Sequence, residues 1–255
     1  MKKTLLIFVC ALVFSSASIA QKQQSAKKVV SPRDATLTVS RIIEHFIQAA
    51  GGRTAWLGVK SQYGRGTIYV NSQVVGSVEV YVKAPNKALS IFRLPGGETR
   101  NGFDGERSWT RLPRAAAKYD PPEMQELRRC DSDMYKYLNF EKHFPRAKLI
   151  GKADVDGIPA YELDAIRADG KFPEKLYFDI RSGFLLRRDS VSLDATSSTL
   201  YYGDYREVDG IKMSFSQRIV LGQLVYESRV LEIKNNIQID DAIFDLPPDD
   251  QKTAE

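Results

Sequence analysis

Apolar positions follow a helical period at the start of the chain and a strand period after it. Ile42, Ile43, Phe46, Ile47 and Ala50 fall on one face of a helix, with Arg41, Glu44, His45 and Gln48 on the other. This spacing predicts a helix opening near Asp34 and stopping at Gly51-Gly52. Thr54 can cap a short following turn that carries Trp56 and Leu57. After Gly64 the period becomes two. Ile68 and Val70 alternate with Thr67 and Tyr69, and Val74, Gly76, Val78, Val80 and Val82 alternate with Ser77, Glu79, Tyr81 and Lys83. The second stretch reads as a half-buried strand of about nine residues.

The alternating pattern stops at Pro113, and residues 120–144 read as helix. Asp120 can cap this insert, Pro121-Pro122 suit its first turn, and Met124, Leu127, Met134 and Leu138 lie roughly on one face, with Tyr137 beside them. Strands resume near Ala147 and run to about Lys234. They are separated by Asp156-Gly157, Asp169-Gly170, Ser182-Gly183, Asp209-Gly210 and Gly222-Gln223. Asp-Gly between alternating apolar residues is a strong hairpin signal. The chain therefore reads as mainly β with two helical regions, about 11 or 12 strands in sequential antiparallel hairpins. An antiparallel sheet of that size curls or splits.

The N-terminus changes the compartment. Lys2 and Lys3 precede an apolar stretch from Leu5 to Phe14, and small residues follow through Ala20. This is the pattern of a cleavable export signal over residues 1–20, with the mature chain starting at Gln21. Cys10 follows Val9 rather than a small residue, so lipidation is not expected. Residues 21–33 read as a flexible leader, 34–248 as a single domain and 249–255 as a tail. The formal charge of +5 falls to +3 when Lys2 and Lys3 leave, which is no footprint for nucleic acid. One cysteine then remains, Cys130, expected to be a free, partly exposed thiol in the insert.

Candidate chemistry is sparse. The two histidines, His45 and His143, stand apart, and no zinc-protease, paired Cys-x-x-Cys, nucleophile-elbow, P-loop or dinucleotide motif occurs. No metal or cofactor is expected. Asp131-Ser132-Asp133 and Asp240-Asp241 read as solvated acids. Acid–base chemistry by strand carboxylates, a hydrolase reading, stays open as a third choice. The larger signal is the aromatic load of the strand regions, including Tyr63, Tyr81, Trp109, Tyr161, Phe178, Tyr202 and Phe215. A curled sheet with two longer helices encloses more apolar surface than they cover. The remainder is filled by side chains or left as a ligand cavity.

An ordered set of short stretches resembles the periplasmic lipoprotein-carrier superfamily, the outer-membrane lipoprotein-sorting proteins of LolA/LolB type. It comprises Lys83-Ala84-Pro85-Asn86-Lys87, Gly102-Phe103-Asp104-Gly105 before Trp109, and Leu176-Tyr177-Phe178-Asp179 leading to Ser182-Gly183-Phe184-Leu185-Leu186. Tyr205 with Val208-Asp209-Gly210-Ile211-Lys212, then Asn236-Ile237, and Ile239-Asp240-Asp241-Ala242-Ile243-Phe244-Asp245-Leu246-Pro247, complete it. The set spans about residues 35–248, in an uncharacterised branch of the superfamily.

The resemblance implies an incomplete, strongly curved antiparallel β-barrel around a hydrophobic cavity, closed by lid helices. It implies a monomeric, non-catalytic periplasmic carrier of lipid or of lipoprotein acyl chains, with envelope membrane proteins as possible partners. One strand face is then expected to form the cavity wall: Val78, Val80, Ile91, Trp109, Tyr161, Leu163, Leu176, Phe178, Met213 and Phe215. Ile43, Phe46, Ile47, Leu127, Met134 and Leu138 are expected in the lid. The runner-up is an envelope scaffold whose half-barrel is filled by its own side chains.

Overall fold

A computed structural model describes residues 37–191 and 197–248. The expected export signal, the leader, the tail and Asp34 lie outside the described residues.

The first helix, α1 (Val39–Ala49), is capped by Thr38, whose hydroxyl accepts from the Arg41 amide. A second short helix, α2 (Gly52–Gly58), follows directly. Gly51 is required at the junction: its φ is 114°, and a Cβ there would sit 2.1 Å from the Gly210 carbonyl oxygen. Gly51 itself holds the N-cap position of α2, rather than Thr54.

Strands β1 (Ser61–Val70), β2 (Gln73–Lys83), β3 (Lys87–Leu94), β4 (Gly97–Phe103), β5 (Ser108–Arg111) and β6 (Lys118–Tyr119) form a meander. Helices α3 (Pro122–Ser132) and α4 (Phe140–His143) interrupt it. The second meander holds β7 (Lys148–Val155), β8 (Ile158–Ala165), β9 (Glu174–Asp179), β10 (Leu185–Val191), β11 (Ser197–Val208), β12 (Ile211–Leu221) and β13 (Leu224–Asn235). All 13 strands join one antiparallel sheet, in the order β6-β5-β4-β3-β2-β1-β13-β12-β11-β10-β9-β8-β7. The strand count exceeds the sequence expectation because short strands such as β6 lie past Pro113, where alternation has stopped.

The Asp-Gly hairpins form as their sequence dictates. Asp156-Gly157 and Asp209-Gly210 all take positive φ, the requirement of a tight primed turn. Pairing of β1 with β13 closes the two meanders into one sheet and leaves β6 and β7 as its edges. The insert therefore runs from one edge of the open barrel to the other.

The expected continuous helix over 120–144 is two pieces. Asp133 ends α3 because its carboxylate accepts from the Tyr135 amide, the Asn139 side chain and His143, which folds residues 134–139 into turns. Nor does Asp120 cap α3. Pro121 holds that position, while Asp120 accepts from the Thr110 hydroxyl and faces Arg128.

Candidate functional site

Cross-strand register decides which residues share a wall, because directly opposed residues point to one face. Val78 opposes Phe92 and Val80 opposes Ser90, whereas Ile91 opposes Glu79. Trp109 opposes Gly102, which in turn opposes Leu89. Ile91 and Trp109 thus lie on the face opposite Val78 and Val80, and the expected single wall is split. The sequence pattern put Ile91 and Trp109 on the Val80 side because a parity count cannot be carried across a turn of unknown register.

Trp109 and Ile91 belong to the outer face. There, Leu89, Ile91 and Trp109 pack with Ile239 and Phe244 beneath a C-terminal 3₁₀ turn, Asp241–Phe244. The Trp109 indole donates to the Phe244 carbonyl at 2.7 Å. Asp241, exposed as expected of a solvated acid, also accepts from Lys83 and Lys87 and ties the 3₁₀ turn to β2 and β3. Asp240 caps the same turn through the Ala242 amide.

The inner face carries the helices and divides into two halves. On β8 and β9, Tyr161 opposes Phe178 and Leu163 opposes Leu176. Ile42, Ile43, Phe46 and Ile47 of α1 pack onto them with Cys130, Phe140 and Phe144 of the insert. Ile47, Leu163 and Leu176 are 0% exposed, so this half is a filled core. On β1, β2, β12 and β13 many inner positions are apolar too, yet Val78, Val80, Met213 and Ile219 are only half-buried. Phe215, Ile68 and Tyr226 lie buried among them. The Gln62 amide reaches the Met213 sulfur at 3.1 Å, which ties β1 to β12 on this face.

The lid residues sit where helices meet the filled half or the β4–β5 end. Ile43, Phe46, Ile47 and Leu127 are buried, whereas Met134 and Leu138 are half-buried in the turns between α3 and α4. The Met134 amide donates to the Pro85 carbonyl, the Tyr135 hydroxyl to the Val59 carbonyl, and the Gln125 side chain binds Ser108. A groove of about 590 Å³ opens between α1 and these turns, floored by Ile43, Tyr137, Leu138 and Phe140 and rimmed by Glu44 and Arg53.

Beneath the insert lies a buried ion cluster. Lys136 pairs with Asp131 at 2.9 Å and lies 3.5 Å from Glu174. Arg188 reaches Asp131 at 3.2 Å and Glu174 at 2.9 Å. Burial alone would raise the Asp131 carboxyl, but Lys136 and Arg188 hold it well below the usual carboxylate range. Burial would likewise lower the Lys136 ammonium, yet Asp131 and Glu174 push it up. Asp131 is therefore no solvated acid. The carboxylates that meet in this fold meet cations, and Asp131 stays ionised, the opposite of a general acid. Sequence reasoning missed Glu174 and Arg188 because a charged residue in an alternating strand reads as its solvent face.

Asp133 is not solvated either. It lies 2.6 Å from His143, with Cys130 alongside. Burial would lower the imidazole pKa, but hydrogen bonds to Asp133 and Cys130 raise it to about 9. Cys130 is a free thiol, but it is buried rather than partly exposed, since α3 turns it into the cluster around Ile47 and Phe144.

No protein-family model and no curated protein matches the chain. Solved structures do match. A LolA-superfamily protein from Nitrosomonas europaea aligns at a TM-score of 0.56 and 11% identity, over 82% of this chain and 98% of its own. A DUF1329-family protein from Desulfovibrio piger aligns at 0.55 and 16%, over 81% and 97%. An outer-membrane lipoprotein-sorting protein domain from Vibrio parahaemolyticus aligns at 0.53 and 14%, over 80% and 95%. The open antiparallel sheet, the helices on its inner face and these alignments lead to one conclusion: the chain shares the fold of these LolA-superfamily and lipoprotein-sorting structures.

Proposed function

We propose that this protein is an exported, soluble periplasmic carrier or sensor that binds an acyl chain, of a lipid or a lipidated protein, on the inner face of its half-barrel. One observation carries the reading. Apolar residues line much of the inner face, and helices cover it over β8–β10 and at the β4–β5 end, while Val78, Val80, Met213 and Ile219 stay half-buried on the strands between. The wall is then Val78, Val80, Met213 and Phe215, and Tyr161, Leu163, Leu176 and Phe178 form the core that supports it.

A carrier must release what it binds. Full burial of a chain of about 16 carbons contributes on the order of 12 kcal/mol. The insert supplies the opposing term: Met134 and Leu138 lose their present contacts when ligand displaces them, so affinity is the difference between two burials. Met134 suits this because a flexible thioether packs well either way.

Uptake of an environment-sensitive fatty-acid probe, with mass spectrometry of lipids extracted from natively purified protein, tests the proposal. Leu138→Ser loosens the closed insert and raises uptake. If wild type takes up no probe and no lipid accompanies it, the filled scaffold replaces the carrier.

A further inference from the structure

The ion cluster under the insert is unevenly charged. Its cations are Lys136, Arg188 and Arg167, whose guanidinium also helps to hold Asp131 ionised, and its anions are Asp131 and Glu174. Arg167 is 3% exposed. Its Nε and Nη2 donate to the carbonyls of Lys171 and Phe172, but its buried Nη1 has no hydrogen-bond partner. Among the described residues Arg167 forms no ion pair. Buried guanidinium donors are ordinarily satisfied, so an orphan of this kind points to an acceptor in another state of the molecule.

The cluster also splits along a mechanical seam. Asp131 and Lys136 belong to the insert, whereas Arg167, Glu174 and Arg188 belong to β9, β10 and the loop before β9. An insert that lifts takes its two opposite charges away together. It leaves two guanidinium groups facing one carboxylate, with Arg188 stripped of the Asp131 oxygen. From Arg188 an unbroken cross-strand row continues through Leu200, Ile219 and Tyr226. Three strand spacings make this an apolar track of about 14 Å, leading into the half-open part of the inner face.

We propose that this cluster is the headgroup site for an anionic amphiphile, and that the Asp131 carboxylate occupies it in the closed protein. The inference rests on the carrier reading and names its ligand class: an acyl chain ending in a carboxylate or phosphate oxyanion. Arg188 and Arg167 bind the oxyanion as the insert withdraws Asp131, because the guanidinium fork matches either group. The chain lies along Leu200 and Ile219 toward Met213 and Val80.

Displacement of laurdan, a neutral acyl probe, from the purified protein tests this. The competitors are hexadecanoic acid, palmitoyl lysophosphatidic acid and hexadecanol. The two acids are expected to displace the probe at concentrations about tenfold below that of hexadecanol, the value of one charge-assisted contact. Their relative order tells whether a free fatty acid or a phospholipid is the better source of the oxyanion. Asp131→Asn removes the internal competitor and widens the gap without moving hexadecanol. Arg167→Gln closes the gap and leaves hexadecanol displacement in place. Equal displacement by acids and alcohol in wild type overturns the headgroup site and leaves the carrier reading intact. So does an Asp131→Asn variant that shifts all three competitors equally, since that is lid loosening alone. Failure of laurdan to bind overturns both.

Discussion

The two halves of the inner face are built from the same alternating strand pattern and end in opposite conditions. On β9, Leu176 and Phe178 are sealed by α1 and the insert. On β2, Val78 and Val80 occupy equivalent inner positions and remain half-buried. The difference lies in what the helices reach. The α1 stripe of Ile42, Ile43, Phe46 and Ile47 is wide enough for β8–β10, and its C-terminus is pinned at the tip of the β11–β12 hairpin, where the Lys212 amide donates to the Ala50 carbonyl. One helix cannot cover a sheet of this width. A strand pattern alone therefore says which side chains point inward, and the helix inventory says which of them are covered.

Truncations measure this contrast most strongly. Phe178→Ala should cost about 3–5 kcal/mol, as for an aromatic removed from a filled core. Val80→Ala, on the half-open side, should cost no more than about 1 kcal/mol. Urea unfolding midpoints of the two variants check this, and equal losses would erase the distinction between the halves.

The ion cluster comes next. Glu174→Gln leaves Arg188 and Lys136 facing one carboxylate instead of two, and should cost about 3 kcal/mol by removing a partner from a buried pair. The same unfolding experiment reads it. Cys130→Ser should cost about 1–3 kcal/mol, because a hydroxyl replaces a thiol in an apolar cluster. The native thiol should stay unreactive toward a thiol reagent until the insert opens.

The smallest effect is a pH dependence. The folded His143 titrates near 9, above its ordinary value of 6.5, so its contribution to stability is complete below about pH 6.5 and is lost as pH rises through 9. Wild type should lose stability between pH 6.5 and 9.5 relative to His143→Gln, as followed by thermal unfolding at each pH. Parallel curves would show that the Asp133 contact contributes nothing to folding.

The sequence made local features legible and left the long-range ones hidden. The face of α1, the Asp-Gly hairpins and the interruption after Pro113 follow from periodicity and turn chemistry alone. The side occupied by Ile91 and Trp109 does not, because it depends on the registers of three successive hairpins. The break at Asp133 was hidden as well, since its partner His143 lies ten residues on. Glu174 and Arg188 were invisible as a pair with Asp131 and Lys136, whose meeting is set by the insert's crossing from β6 to β7. Asp131 shows the same gap: local spacing marks an acid as solvated until the fold buries it beside its cations.

The central claim is that an acyl chain binds the half-open part of the inner face. A fatty acid carrying a photoreactive diazirine near its terminal methyl, cross-linked to the purified protein and mapped by peptide mass spectrometry, tests it directly. The account predicts labels on the peptides of β1, β2, β12 and β13, at residues such as Val78, Val80, Met213 and Phe215, and their loss in a folded Val80→Asp variant. Labels confined to the outer face around Trp109 and Ile91, or labelling unchanged by Val80→Asp, would contradict it.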